Sequence, residues 1–382
     1  MMGAHLGYYT VGTEVFHSKT AALVEATRTN IHPQWHFSDH VFSRMDWESP
    51  PVDDITEMYK RRAKQLREKY DYLILMFSGG SDSTTIIRSF IQAGVHLDEI
   101  LVKWSLKASE KVYTPNTTDH GTHNIFSEWD YAIKPTLDYI ATHHPKIKIT
   151  IYDFSDQFDG EISEQDWFSV NDHLNPGVFR RYGLALTESQ EKMQEAGKSV
   201  ATIWGIDKPQ LAYKDGNIYA YFLDKLANTR SVEGSANRTN ELFYWTPDVP
   251  EVAVNQAKKV YNYISKRPDL LPLIDWVDPR GKNKTLYDNI ARGIIHPEWD
   301  TTIFQVTKPS NMVFNEYDTW MFKSLQPYRY YQSWENGLTS IKAVVDPKYF
   351  QPNKTGRFEG WIGFISPFYK LGPAKTINLL DT

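Results

Sequence analysis

The stretch LILMFSGGSDSTTIIRSF, residues 73–90, decides how this chain is read. Its first half continues from Tyr72 as YLILMF (72–77), an apolar run of strand length with no polar alternation. Such a run suits a strand buried on both faces of a parallel sheet, because one-sided burial would give a period of two. The run halts at Ser78, Gly79 and Gly80, and STTIIRSFIQAG (83–94) then predicts a helix closed by Gly94. A buried strand, a polar glycine turn and a helix are the opening of an α/β sheet.

Working outward, DEILVKW (98–104), KIKITIYDFS (146–155), SVATIWG (199–205) and IYAYFLD (218–224) predict four further strands, the last after a DGN turn. EWDYAIKPTLDYIATHH (128–144) and NPGVFRRYGLALTESQEKMQEAG (175–197) predict helices between them, the first despite Pro135. The alternation gives the expected fold class: α/β, a doubly wound and mostly parallel sheet of about five strands with right-handed crossovers. Before the sheet, PPVDDITEMYKRRAKQLREKYD (50–71) begins with prolines and acids and ends in bases, as a helix and its dipole favour. Residues 1–49 predict a small mixed segment, with a hairpin in YYTVGTEVFHS and a helix in KTAALVEATRT. After about residue 230 the alternation gives way to polar turns, prolines and isolated helices such as VPEVAVNQAKKVYNYISKR (249–267). The expected organisation is an N-terminal segment over 1–49, an α/β domain over 50–230 and a mainly helical and irregular, aromatic-rich addition over 231–382. IHPQW (31–35) and IHPEW (295–299) resemble each other, but two short matches do not make a repeat.

Composition narrows the function classes. A net charge of −5 argues against a general nucleic-acid coat, which needs a basic surface. No apolar run is long enough for a membrane span, and MMGAHLGYYTVG lacks the basic-then-apolar order of a signal peptide. The expectation is a cytoplasmic protein. The chain has no cysteine, which removes disulfides, thiolate zinc sites, iron–sulfur ligation and any Cys nucleophile. Twelve Trp and 23 Tyr suit a packed aromatic core, with base stacking by runs such as YRYYQSW (328–334) and GRFEGWIGF (356–364) as the alternative.

The glycine turn has a physical reading. In an open α/β sheet ligands sit beyond the carboxyl ends of the strands, where residues 78–83 fall. Gly79 and Gly80 permit positive φ and close approach of backbone to a ligand. The following helix directs unsatisfied N–H groups and a partial positive charge into the turn, which favours an anion. Ser78, Ser81 and Ser83 add hydroxyls, and Asp82 offers a carboxylate to a magnesium ion. A plain strand–turn–helix junction with Ser or Asp as N-cap is the competing explanation. The loop is neither a Walker A motif, since no Lys follows the glycines, nor GxGxxG.

FSGGSDS (77–83) resembles the PP-loop, SGGxDS, of the N-type ATP pyrophosphatases, and it follows the first strand of the sheet as it does in that superfamily. The likeness covers about residues 70–225, and the layout resembles phosphoadenosine phosphosulfate reductase-like PP-loop proteins carried by phages. The resemblance implies an adenine nucleotide alpha-hydrolase-like sheet, host cytoplasm for a phage-encoded chain, and ATP cleaved between its α and β phosphates to leave an AMP-activated acceptor. By position, Ser78, Gly79, Gly80, Ser81 and Ser83 would hold the β and γ phosphates, Asp82 would help to hold Mg2+, and Val102, Lys103 and Trp104 would flank the adenine. WGIDKPQ (204–210) ends the fourth strand, and Lys208 is placed to meet a phosphate or to be a solvated loop lysine. Asp224 would serve as metal ligand or helix cap, and Arg180, Arg181, His120 and His123 are further candidates for the acceptor or phosphate.

The missing cysteine prunes the resemblance. Phosphosulfate reductases need a C-terminal Cys, sulfur-inserting tRNA enzymes need Cys pairs, deazapurine nitrile synthases need a Cys-bound zinc, and glutaminase-bearing synthetases need Cys directly after the initiator, where Met2 stands. What survives is an ATP-dependent, AMP-forming enzyme that adenylates an acceptor, small molecule or nucleic acid, for attack by an external amine, ammonia or another non-thiol nucleophile. The alternatives are an ATP or AMP sensor without turnover, and a phosphosulfate-nucleotide-binding protein that performs no reduction. A homodimer is the default expectation for such an enzyme.

Overall fold

A computed structural model describes residues 7–51, 54–104, 106–107, 128–153, 174, 187–224, 238–277, 284–300, 329–352 and 359–374. The centre is a five-stranded sheet, parallel throughout, made of β4 (Tyr72–Met76), β5 (Glu99–Trp104), β6 (Lys148–Asp153), β7 (Val200–Trp204) and β10 (Arg238–Leu242). Across the sheet the order is β10-β7-β4-β5-β6, so the strands, counted along the chain, run 3-2-1-4-5 from one edge. Chain progression reverses between β4 and β7, which opens a crevice at their carboxyl ends.

Both faces of the sheet are buried, as the unbroken apolar runs require. Leu73, Leu75, Ile100, Val102, Ala201 and Ile203 belong to the main core, whereas Ile74, Leu101 and Val200 form a second cluster with Met193 on the other face. The main face receives α3 (Ile55–Lys69) and α4 (Ser81–Ala93), which pack on β4 and on each other. It also receives α5 (Lys134–His143), which continues from a π-helical turn over Trp129–Ile133 and carries Leu137 and Ile140 inward. Pro135 lies in the first turn of α5, directly after the π-helical turn. The opposite face receives α6 (Glu188–Glu195), started by a capping box between Thr187 and Gln190. Helices on both faces of a parallel sheet make the fold α/β and doubly wound.

The fifth parallel strand is not the predicted one. Asn217–Tyr221 (β9) pairs antiparallel with β8 (Gln210–Lys214) and β13 (Tyr369–Pro373) in a separate three-stranded sheet. Its alternating burial explains this: Ile218 and Ala220 face the core and their neighbours do not, a pattern for one-sided burial. The parallel edge strand is instead Arg238–Leu242, which lies beyond residue 230 and pairs Glu241 with Ile203. Residues after 230 therefore complete the central sheet and also supply α7 (Pro250–Ile264), α8 (Lys284–Ile295), α9 (Arg329–Val344) and the hairpin of β11 (Phe350–Pro352) and β12 (Glu359–Trp361).

The N-terminal segment forms the predicted hairpin, β1 (Tyr8–Val11) with β2 (Glu14–Phe16), extended by β3 (Gln34–His36), and the predicted helix α1 (Lys19–Thr29). A four-residue helical turn, α2 (Asp39–Phe42), follows. Aromatic side chains serve the core here: Phe37, Phe42, Trp47, Phe222, Trp245 and Tyr369 pack ring on ring. Trp361 of GRFEGWIGF is buried against Phe350, so this ring is core and not a stacking platform. Among the described residues no helix is long and apolar enough to cross a membrane.

The new edge strand is fastened by a buried charge. Arg62 of α3, fully buried, donates from Nη2 to Glu241 Oε2 at 2.8 Å and to the Leu242 carbonyl at 3.0 Å. Lys69 Nζ lies 2.9 Å from Glu241 Oε1, and the Tyr70 hydroxyl donates to the same oxygen. Burial works against the charge of Glu241, but Arg62, Tyr70 and Lys69 prevail and hold its carboxyl below the ordinary range. Arg62→Ala is expected to lower unfolding stability by about 3 kcal/mol in urea titration, because it strips the buried cation from a buried carboxylate. The double variant Arg62→Met/Glu241→Leu should lose less.

Candidate functional site

The loop 78–83 follows β4 and the loop 205–208 follows β7, so the strand order brings both to the crevice where the sheet reverses. Local geometry then fixes the first loop. Gly79 has φ +70°, and a Cβ there would meet Ile133 Cγ1 at 2.8 Å and Ala132 Cβ at 3.0 Å. Glycine is required on both counts, conformation and space. Ser83 Oγ donates to the Gly80 carbonyl at 3.2 Å and accepts from the Ser78 N–H at 3.4 Å, closing the loop on itself. Gly80 is the N-cap of α4, so no side chain caps the helix, and its first-turn N–H groups face the loop.

The second loop presses against the start of α4. A Cβ on Gly205 would lie 3.1 Å from Asp82 Cβ and 3.2 Å from the Ser83 nitrogen. That approach brings Lys208 to Asp82: its ammonium donates to Oδ1 at 3.0 Å and to Oδ2 at 2.8 Å. His296, just beyond α8, places Nε2 at 2.8 Å from Asp82 Oδ1. The Tyr244 hydroxyl, beyond β10, donates to the Asp82 backbone carbonyl at 2.7 Å. Three separate segments therefore converge on one aspartate. The Asp82 side chain keeps 23% exposure while His296 is wholly buried.

Charges in this cluster follow from burial and contact. Burial opposes ionisation of Asp82, but the Lys208 ammonium and the His296 hydrogen bond outweigh it, and the carboxyl is held well below the usual range. Burial would neutralise Lys208, yet Asp82 keeps its ammonium protonated and raises its pKa. For His296 burial wins and lowers the pKa, so the ring is neutral and Nε2–H donates to Asp82. Its Nδ1 then carries a lone pair with no partner among the described residues. The ring sits between Tyr59 and Tyr244, with centroids 6.3 and 5.5 Å away. It also lines a cavity of about 10 Å³ between α3 and α4, room for one water and none for a nucleotide.

Of the residues expected to flank adenine, Val102, Lys103 and Trp104 end β5, directly beside β4. All three are buried, with Trp104 packed on Trp129 at 6.2 Å and the Lys103 ammonium over the Tyr152 ring at 5.4 Å. The turn 129–133 thus touches both Gly79 and the end of β5. Asp224 lies elsewhere, in a buried ion pair with Lys19 at 2.6 Å and a hydrogen bond from Tyr9 at 2.9 Å. His120, His123, Arg180 and Arg181 lie outside the described residues. His296 and Tyr244 were not expected from the sequence, since nothing in a helix end or a strand end reports a partner two hundred residues away.

Asp82 is the carboxylate of the loop to which a magnesium ion would bind. The ion wants oxygen ligands near 2.1 Å in octahedral array. Both oxygens of Asp82 already accept from Lys208, and one also accepts from His296. A divalent ion there would stand about 4 Å from the ammonium, a repulsion of roughly 8 kcal/mol at an effective dielectric of about 20. As arranged, Asp82 does not fit a magnesium ligand. Among the described residues no cluster of three His, Asp or Glu is placed to hold a metal ion.

The neutral buried His296 sets a pH dependence. Its folded pKa lies below its unfolded value near 6.5, so its contribution is complete above about pH 6.5 and is lost as pH falls through the folded value. Asp82 acts in the same direction but only in stronger acid, below about pH 4. Thermal unfolding between about pH 7 and pH 5 should therefore show the wild-type midpoint dropping more than that of His296→Gln, which keeps an N–H for Asp82 without the titration. Parallel profiles would mean that His296 is not held neutral.

No protein-family model matches this chain, and no curated protein matches it.

Proposed function

We propose that this chain is an AMP-forming ATP pyrophosphatase of the PP-loop kind. The observation that carries the reading is the convergence, at the reversal point of a doubly wound sheet, of an uncapped helix N-terminus, a glycine loop with positive φ and a buried ammonium. Backbone N–H groups of the loop and α4 bind a diphosphate by charge and by direct donation. Lys208 adds a fixed positive charge beside them. The end of β5, next to β4, is where a nucleoside attached to that diphosphate comes to lie, with Val102 and Trp104 as an apolar wall.

The reaction this arrangement favours is in-line attack of an acceptor oxygen on the α phosphorus. The α–β phosphoanhydride bond breaks, pyrophosphate leaves with the bonding electrons, and AMP stays on the acceptor. An amine or ammonia from outside then displaces AMP. The chain contributes stabilisation of the leaving pyrophosphate and alignment, and no covalent nucleophile of its own. With no cysteine in the chain, a thiol-borne second step is outside its means. The acceptor is a small molecule or a nucleic acid. A second reading, an ATP or AMP sensor without turnover, draws support from the ion pairing of Asp82, which engages a residue that catalysis would use.

The test is ATP–pyrophosphate exchange with labelled pyrophosphate across pools of carboxylates, amino acids, nucleosides and nucleic acids. Exchange dependent on one pool is expected, falling about 100-fold in Lys208→Ala, the scale for removing one preorganised charge at a leaving group. Gly79→Val should abolish it. ATP binding without AMP or pyrophosphate formation in any pool would decide for the sensor.

A further inference from the structure

The ion pair at the crevice says more about the ligand's charge balance. We infer that Lys208, and not a divalent cation on Asp82, is the countercharge of this site, so that the loop takes a polyphosphate in metal-free form. The inference rests on the reading of residues 78–83 as a polyphosphate loop, and it assigns Asp82 and His296 as positioning residues for the Lys208 ammonium.

Three observations carry it. First, the ammonium is bound symmetrically, 3.0 and 2.8 Å from the two carboxylate oxygens, which is where a cation on this carboxylate would stand. Secondly, the carboxylate is locked from behind: His296 donates to Oδ1, Tyr244 donates to the backbone carbonyl of Asp82, and Gly205 packs on its Cβ. Turning Asp82 toward a metal would break the His296 bond inside a buried aromatic pocket and leave a second unsatisfied ring nitrogen beside Nδ1. Thirdly, Lys208 is more than nine-tenths buried, and two of its three N–H donors go to Asp82. The third has no protein partner among the described residues. A buried ammonium with a donor left over, one residue contact away from an uncapped helix start, has the chemistry of a phosphate-oxygen ligand.

Isothermal titration of the full chain with inorganic pyrophosphate, and separately with ATP, tests this in EDTA and in magnesium chloride. Binding is expected to persist in EDTA, with the dissociation constant within about threefold of its value in magnesium. Lys208→Gln should weaken binding in EDTA at least tenfold. Asp82→Asn, which loosens Lys208, should weaken binding to the same degree in both buffers. If EDTA abolishes wild-type binding, or if Asp82→Asn removes only the magnesium-dependent part, the inference is overturned and the polyphosphate loop stands. If neither pyrophosphate nor ATP binds in either buffer to a chain that unfolds cooperatively, the loop reading falls as well. The wild-type comparison needs no variant, so a variant that fails to fold leaves the test intact.

Discussion

The site depends on one close approach: the first turn of α4 lies against the end of β7, where a Cβ at 205 would stand 3.1 Å from Asp82 Cβ. A side chain there would push the two loops apart by a few tenths of an ångström, at the contact that sets Asp82 against Lys208, three residues further along the same loop. The parallel pairing of β4 with β7 sets the approach up, because adjacent parallel strands end on the same side of the sheet. The buried ion pair is the result, and not its cause. Pairs of this kind return little net stability after desolvation, so their value lies in placing a charge.

A second buried charge cluster ties distant parts of the chain together. Lys19 from α1 reaches Asp224 after β9, the Ile362 carbonyl near β12 and the face of Phe364. One ammonium thereby ties the N-terminal segment to two strands from distant parts of the chain. Burying it is tolerable because a carboxylate, a carbonyl and an aromatic face share the charge. The two lysines are opposites in this respect: Lys19 has its donors distributed among protein groups, whereas Lys208 commits two to one carboxylate.

Much of this was legible in the sequence because it is written in local pattern. YLILMF, DEILVKW and SVATIWG carry the continuous hydrophobicity of strands covered on both sides, and each is a strand of the parallel sheet within a residue or so. SGGSDS announced a turn into a helix, and the helix begins at Ser81 with Gly94 as its left-handed cap. The fifth strand was misplaced for a physical reason. RTNEL is polar and reads as a loop, because an edge strand whose acid pairs with a buried arginine needs no apolar run. IYAYFLD looked the better candidate, yet its alternation belongs to a sheet with one wet side. Lys208 was visible as a residue at the right edge. Its commitment to Asp82 was not, since that depends on how tightly two loops pack.

The partners of Asp82 also govern when the loop can be finished. Lys208, Tyr244 and His296 lie 126, 162 and 214 residues downstream of it. Strand β4, the glycine turn and α4 are made before the three side chains that hold Asp82 among the described residues. Closure over such sequence separations is slow, and it follows most of the chain's synthesis. The nascent chain therefore carries its anion-attracting helix start before it carries the groups that tame it, and the crevice cannot be completed until residue 296 has been made.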